Sequence, residues 1–191
     1  EINYNNNTLS TTKAFLCRKT LEVAYVPIKY LGQGGILPPW NLMEPGIGDG
    51  FLRAIYTPGE WDYHLSGWPI GPDYLVWNTD INSSSTNLLN TLNDIRINQI
   101  PAHGFTIPDF IYGWLPGNPY SGNGQAGGIP SNRAFGNTDP TRSQRTMAHE
   151  LGHCFGLQHN STITNIVGAD VEWHLWDTQS LSQIFPANKN D

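Results

Sequence analysis

The chain has 191 residues, with 10 Lys and Arg against 16 Asp and Glu and a formal net charge of −6. That length suits one core better than two, because domains usually run to roughly 100–200 residues. The acidic balance leaves no electrostatic footprint for nucleic acid or an anionic bilayer, and no apolar run reaches the ~20 residues that cross a membrane.

The charged fraction, 14%, lies well under the ~25% usual for a soluble domain. Neutral polar residues, 20 Gly and 14 Pro take its place, which predicts a chain rich in turns and loops. With 7 Trp, 8 Tyr and 7 Phe, there is ample apolar surface to bury, so disorder is not expected. The chain opens on Glu-Ile-Asn with neither an initiator Met nor an apolar signal segment, which predicts a mature or trimmed product.

In chain order, residues 1–12 are rich in Asn, Ser and Thr and read as an exposed arm. Leu21–Tyr30 carries β-branched and aromatic residues in partial alternation and predicts a strand, with Pro27 pointing to a sheet edge or an irregularity. A Gly/Pro-rich loop over 31–50 leads to a short helix at Gly50–Tyr56, and Glu60–Ser66 alternates as a second strand. The run Asn82-Ser-Ser-Ser-Thr-Asn caps a helix over Ser85–Asn98 that stops before Pro101. Asp109–Leu115 predicts another strand, and Gly124–Phe135 a further irregular one whose glycines and Pro130 suit a sheet edge. The pattern is mixed α/β in a single domain.

Chemistry concentrates in one stretch, His149-Glu150-x-x-His153-x-x-Gly156-x-x-His159. Residues four apart share a helix face, so His149 and His153 can converge on one ion. Glu150, beside the first ligand, is placed to contact a water bound to that ion. Gly156 can adopt a left-handed conformation that ends the helix and lets His159 swing back as a third ligand. Three neutral imidazoles would leave a fourth tetrahedral position for water on a zinc ion of full Lewis acidity, with Glu150 as general base. By composition, the long spacing arises by chance on the order of once in 50,000 chains of this length. Neither Ser143 nor Cys154 needs a catalytic role in such chemistry.

Residues 145–159 match the signature of the metzincin zinc endopeptidases at every defining position, and the order of elements upstream is similar to that of secreted bacterial metzincins. The resemblance implies an α/β (α+β) fold: a twisted, mixed five-stranded sheet with an antiparallel edge strand, backing helices and an active-site helix. It divides the domain into an N-terminal subdomain over 1–156 and a small irregular C-terminal one over 157–191. It also implies a monomeric, secreted enzyme that cleaves protein or peptide substrates, with the backbone near Gly127, Gly128 and Ile129 pairing with an extended peptide. The family carries a methionine in a turn downstream of the third histidine. Here Met43 and Met147 both lie upstream, and Val167 stands where that residue would be. A zinc-containing module that binds peptide or glycoprotein without turnover is the alternative.

Other residues carry weaker signals. Cys17 and Cys154 allow one internal disulfide, or two buried thiols. His64, His103 and His174 are read as surface or core residues, and Asp170 and Glu172 as solvated or capping groups that could otherwise orient a ligand. Calcium near Asp49, Asp73 or Asp80 lacks a regular loop of oxygen ligands. Asn6, Asn82 and Asn160 fit the glycan-acceptor pattern, which an Asn/Ser/Thr-rich chain generates freely. Trp173 and Trp176 share helical spacing and read as core of the C-terminal part.

Overall fold

The computed structural model describes residues 20–56, 61–65 and 73–159. Its sheet is built from β1 (Leu21–Tyr30), β2 (Trp61–Leu65), β3 (Leu75–Trp77), β4 (Phe110–Leu115), β5 (Gly124–Ala126) and β6 (Arg133–Asn137). Five strands follow the order β2-β1-β4-β6-β5, and three-residue β3 pairs with the end of β1. All pairings are parallel except β5 with β6, so the expected mixed sheet with an antiparallel edge strand is present.

Side chains of the central strands alternate between two cores. Val23, Tyr25, Tyr112, Trp114 and Ala134 face one side with Leu52, Met147 and Leu151. Ala24, Val26, Ile28, Ile111, Leu115 and Phe135 face the other with Leu88, Leu89 and Leu92. The sheet is therefore sandwiched: α1 (Gly50–Ile55) and α4 (Ser143–Cys154) lie on the first face, and α2 (Ile81–Asp94) on the second.

Three expectations are corrected. Of the two readings of Pro27, the sheet edge is corrected, since β1 is an interior strand, and the irregularity is present. β1 pairs with β2 up to Tyr25 and with β3 from Ile28, so Pro27 stands opposite the break between them, where its missing N–H interrupts no ladder. The predicted Ser85–Asn98 helix follows a break at Ser84 (φ −121°, ψ 15°), and a preceding turn from Ile81 is capped by the Asp80 carboxylate accepting from Asn82 N at 3.3 Å. It runs on through a π-helical turn (Ile95–Gln99) into α3 (Ile100–Ala102), which accommodates Pro101 in its first turn. Finally, Gly124–Phe135 is not one edge strand but most of the β5–β6 hairpin. β5 is the edge, whereas β6 lies between β4 and β5.

Candidate metal centre

Helix α4 places the site. Its inner face carries Met147, Ala148, Leu151 and Cys154 into the core, which fixes the helix against β1, β4 and β6. Gln144 Oε1 accepts Phe51 N at 3.1 Å and Tyr56 Oη donates to Ala148 O at 3.3 Å, tying α4 to α1. On the hairpin side, Gly124 and Gly136 form a directly opposed cross-strand pair. A Cβ on Gly124 would come within 2.7 Å of Thr146 Cγ2 and 2.8 Å of Glu150 Cγ, and one on Gly136 within 2.8 Å of Thr146 Cγ2. Only this side-chain-free pair lets α4 lie so close to β5 and β6.

The helix ends as the glycine predicts. Gly156 has φ +94°, its N–H donates to His153 O at 2.9 Å, and Leu157 N donates to Gly152 O at 3.0 Å. These two bonds form a Schellman motif. The same turn orients a histidine, because Leu157 O lies 2.7 Å from His153 Nδ1. A carbonyl at that distance requires the proton on Nδ1 and leaves the Nε2 lone pair facing His149 and His159.

The three histidines come together. His153 Nε2 is 3.1 Å from His149 Nε2 and 2.8 Å from His159 Nε2, and the three ligand atoms lie within 4.8 Å of one another. Nitrogens about 2.0–2.1 Å from a tetrahedral ion would stand roughly 3.3 Å apart, so the donor set fits one ion. Burial, reinforced by the neighbouring imidazoles, lowers the His149 pKa to about 3, so its ring is neutral and its lone pairs can bind metal. Among the described residues this is the one group of three or more His, Cys, Asp or Glu side chains that could hold an ion.

Glu150 is 6% exposed and lines the same cleft, of about 460 Å³. Burial raises its carboxyl to about 8, while the Ala126 backbone N–H hydrogen-bonds to it and pulls the other way. Behind it, burial and the nearby Glu150 and Cys154 keep the Tyr112 phenol protonated. Cys154 is buried, with its thiol 3.6 Å from Arg133 O and its pKa pushed up to about 12 by burial and by Glu150, so it is no nucleophile at neutral pH.

Of the three residues expected to meet a peptide, Gly128 and Ile129 line the cleft, whereas the Gly127 N–H is committed to Arg133 O at 2.9 Å. The wall is made chiefly by Gly122–Ala126, of which Gly124–Ala126 begin the expected edge segment, while no sequence signal marks Gly122 and Asn123. Arg142 and Arg145, given no role above, line the cleft too, and Arg145 stands four residues before His149 and so shares its helix face.

Asp49 and Asp80 serve the fold: Asp49 accepts Gly46 N at 2.5 Å and pairs with Arg53, and Asp80 caps α2. Asp73 and His103 are exposed and lie away from the cleft lining, and His64 falls on β2. Asn82 uses both ends of its amide to tie α2 to Pro119 O and Ser121 N, at 3.0 and 2.9 Å. Cys17 and its pairing with Cys154, Asn6, Asn160, Val167, Asp170, Glu172, Trp173, His174 and Trp176 lie outside the described residues, as does nearly all of the expected C-terminal subdomain.

No family model, curated protein or solved structure matches the chain. The mixed sheet and the histidine cluster at the end of α4 are compatible with a metzincin-like fold. No helix among the described residues is long and apolar enough to cross a membrane.

Proposed function

We propose that this protein is a zinc-dependent endopeptidase of metzincin type that hydrolyses peptide bonds in extracellular proteins. One observation carries the reading: three imidazole Nε2 atoms converge beside a buried glutamate, on the floor of a cleft walled by a sheet edge. Three neutral histidines suit zinc, and the absence of a carboxylate ligand would leave the ion strongly electrophilic. When bound, zinc supplies Lewis acidity, polarising a carbonyl and lowering the pKa of water.

The remaining work falls to side chains of this chain. His149, His153 and His159 would hold the ion, with His153 fixed by Leu157 O. Glu150 acts as general base, taking a proton from the attacking water and returning it to the leaving amine. Burial raises its basicity, and the Ala126 N–H hydrogen-bonds to the carboxylate. An extended peptide would lie along β5, whose Gly124 turns its backbone groups away from β6, with Gly128 and Ile129 at one end.

The test compares wild type and Glu150→Ala on an unfolded protein substrate, with zinc content measured for both. About one zinc per chain in each, and a loss of cleavage of at least 10²–10⁴-fold in the variant, is the expected result. Undiminished cleavage by the variant refutes the mechanism. Stoichiometric zinc with no cleavage by wild type would point instead to a binding module without turnover.

A further inference from the structure

Two arginines stand at the N-terminal end of α4. Backbone N–H groups there carry partial positive charge, which favours Asp and Glu nearby. Asp139 supplies that charge, its carbonyl accepting from Ser143 N at 2.8 Å and its carboxylate from Thr141 N at 2.8 Å; Arg142 and Arg145 follow it. Both arginines line the cleft that holds the histidines and Glu150. Thus two guanidinium groups at the start of the 12-residue helix line one cavity, in a chain whose net charge is −6.

Among the described residues, one carboxylate bears on Arg142: Asp139, which also accepts Thr141 N and Oγ1 at 2.8 and 2.6 Å. Arg145 is exposed and has no ion pair among the described residues. Glu150 is the one carboxylate among the described residues lining the cleft, and it lies deep beside the histidines. Arg145 is one helical turn above His149, about 6 Å along the axis, and Arg142 about one turn higher. A bound chain crossing the histidines would therefore pass the two guanidinium groups within a residue or two of the reacting bond.

We propose that Arg142 and Arg145 form a carboxylate-binding subsite, so that the cleft selects peptides carrying a carboxylate close to the bond placed at the metal. Guanidinium groups bind carboxylates through paired charge-assisted hydrogen bonds. The carboxylate has two sources, an Asp or Glu side chain or the C-terminus of the peptide. The inference rests on the peptide-cleft reading above but not on turnover.

The experiment measures equilibrium binding of fluorescent peptides to zinc-loaded Glu150→Gln protein, which holds substrate without consuming it. One pair of amidated peptides differs by Glu against Gln; a second, neutral pair differs by a free against an amidated C-terminus. A preference of about tenfold for the carboxylate in the first pair assigns the subsite to acidic side chains, and in the second pair to a chain terminus. In either case the preference should disappear when Arg142→Gln and Arg145→Gln are added, and weaken with salt. Equal affinities in both pairs, no binding of any peptide, or a preference that survives both substitutions overturns the proposal. Wild-type protein that binds with this preference but cleaves nothing would overturn the endopeptidase reading and leave the subsite standing.

Discussion

Glu150 lies where two influences oppose each other, and pH separates them. Without an ion, burial raises its pKa from the ordinary 4.5 to about 8, against the pull of the Ala126 N–H. The folded chain then binds this proton more tightly than the unfolded chain does. Its contribution is fully present below pH 4.5, falls as pH rises toward 8, and is lost above that. Glu150→Gln, neutral at every pH, escapes the loss. In chelator, its unfolding free energy should exceed that of wild type by a margin growing between pH 5 and 8, to a few kcal/mol. A margin independent of pH would show that the carboxyl is not buried in this way. With zinc bound the margin should shrink, because a nearby dication favours the ionised carboxylate.

At the scale of elements, the opposed Gly124–Gly136 pair sets the distance between floor and wall. Gly136→Ala places a methyl against Thr146 and the Tyr112 hydroxyl, so unfolding measurements should show a loss of about 1–3 kcal/mol. Gly124→Ala presses on Thr146 as well, but also on Glu150, with its Cβ 2.9 Å from Oε1, and should lower kcat/KM in addition to stability. Equal effects of both variants on both measurements would contradict this division. The glycines also show why the hairpin was hard to read. Leu21–Tyr30 and Asp109–Leu115 are legible because both faces of a parallel strand are buried and the residues say so. β6, Arg-Ala-Phe-Gly-Asn, has no β-branched residue; its interior place comes from pairing with β4 and from the close approach of α4, which local sequence does not record. The turn over Ile81–Ser83, ahead of the break at Ser84, is set by Asp80, which caps upstream of the more conspicuous run of serines.

At the scale of the molecule, the three histidines were legible because they lie in one helix and its closing turn, whereas the cleft wall comes from a hairpin that only the fold brings beside it. One ion gripped at the end of α4 should stabilise the native state over the unfolded chain by mass action, about 4 kcal/mol at a thousandfold excess over Kd. A chelator should therefore lower Tm and zinc restore it; a Tm indifferent to both would mean that the cluster holds no ion tightly.

The sheet topology also bears on how the chain reaches this arrangement. β1 must find β4 across most of the domain, with Val23 opposite Phe110, and each parallel pairing likewise spans a long connection. β5 and β6 alone are joined by a short turn, over 127–132, and so carry the smallest loop-closure entropy among the described strands. The cleft wall is thus the part of the sheet that can form earliest, before there is a floor for it to border.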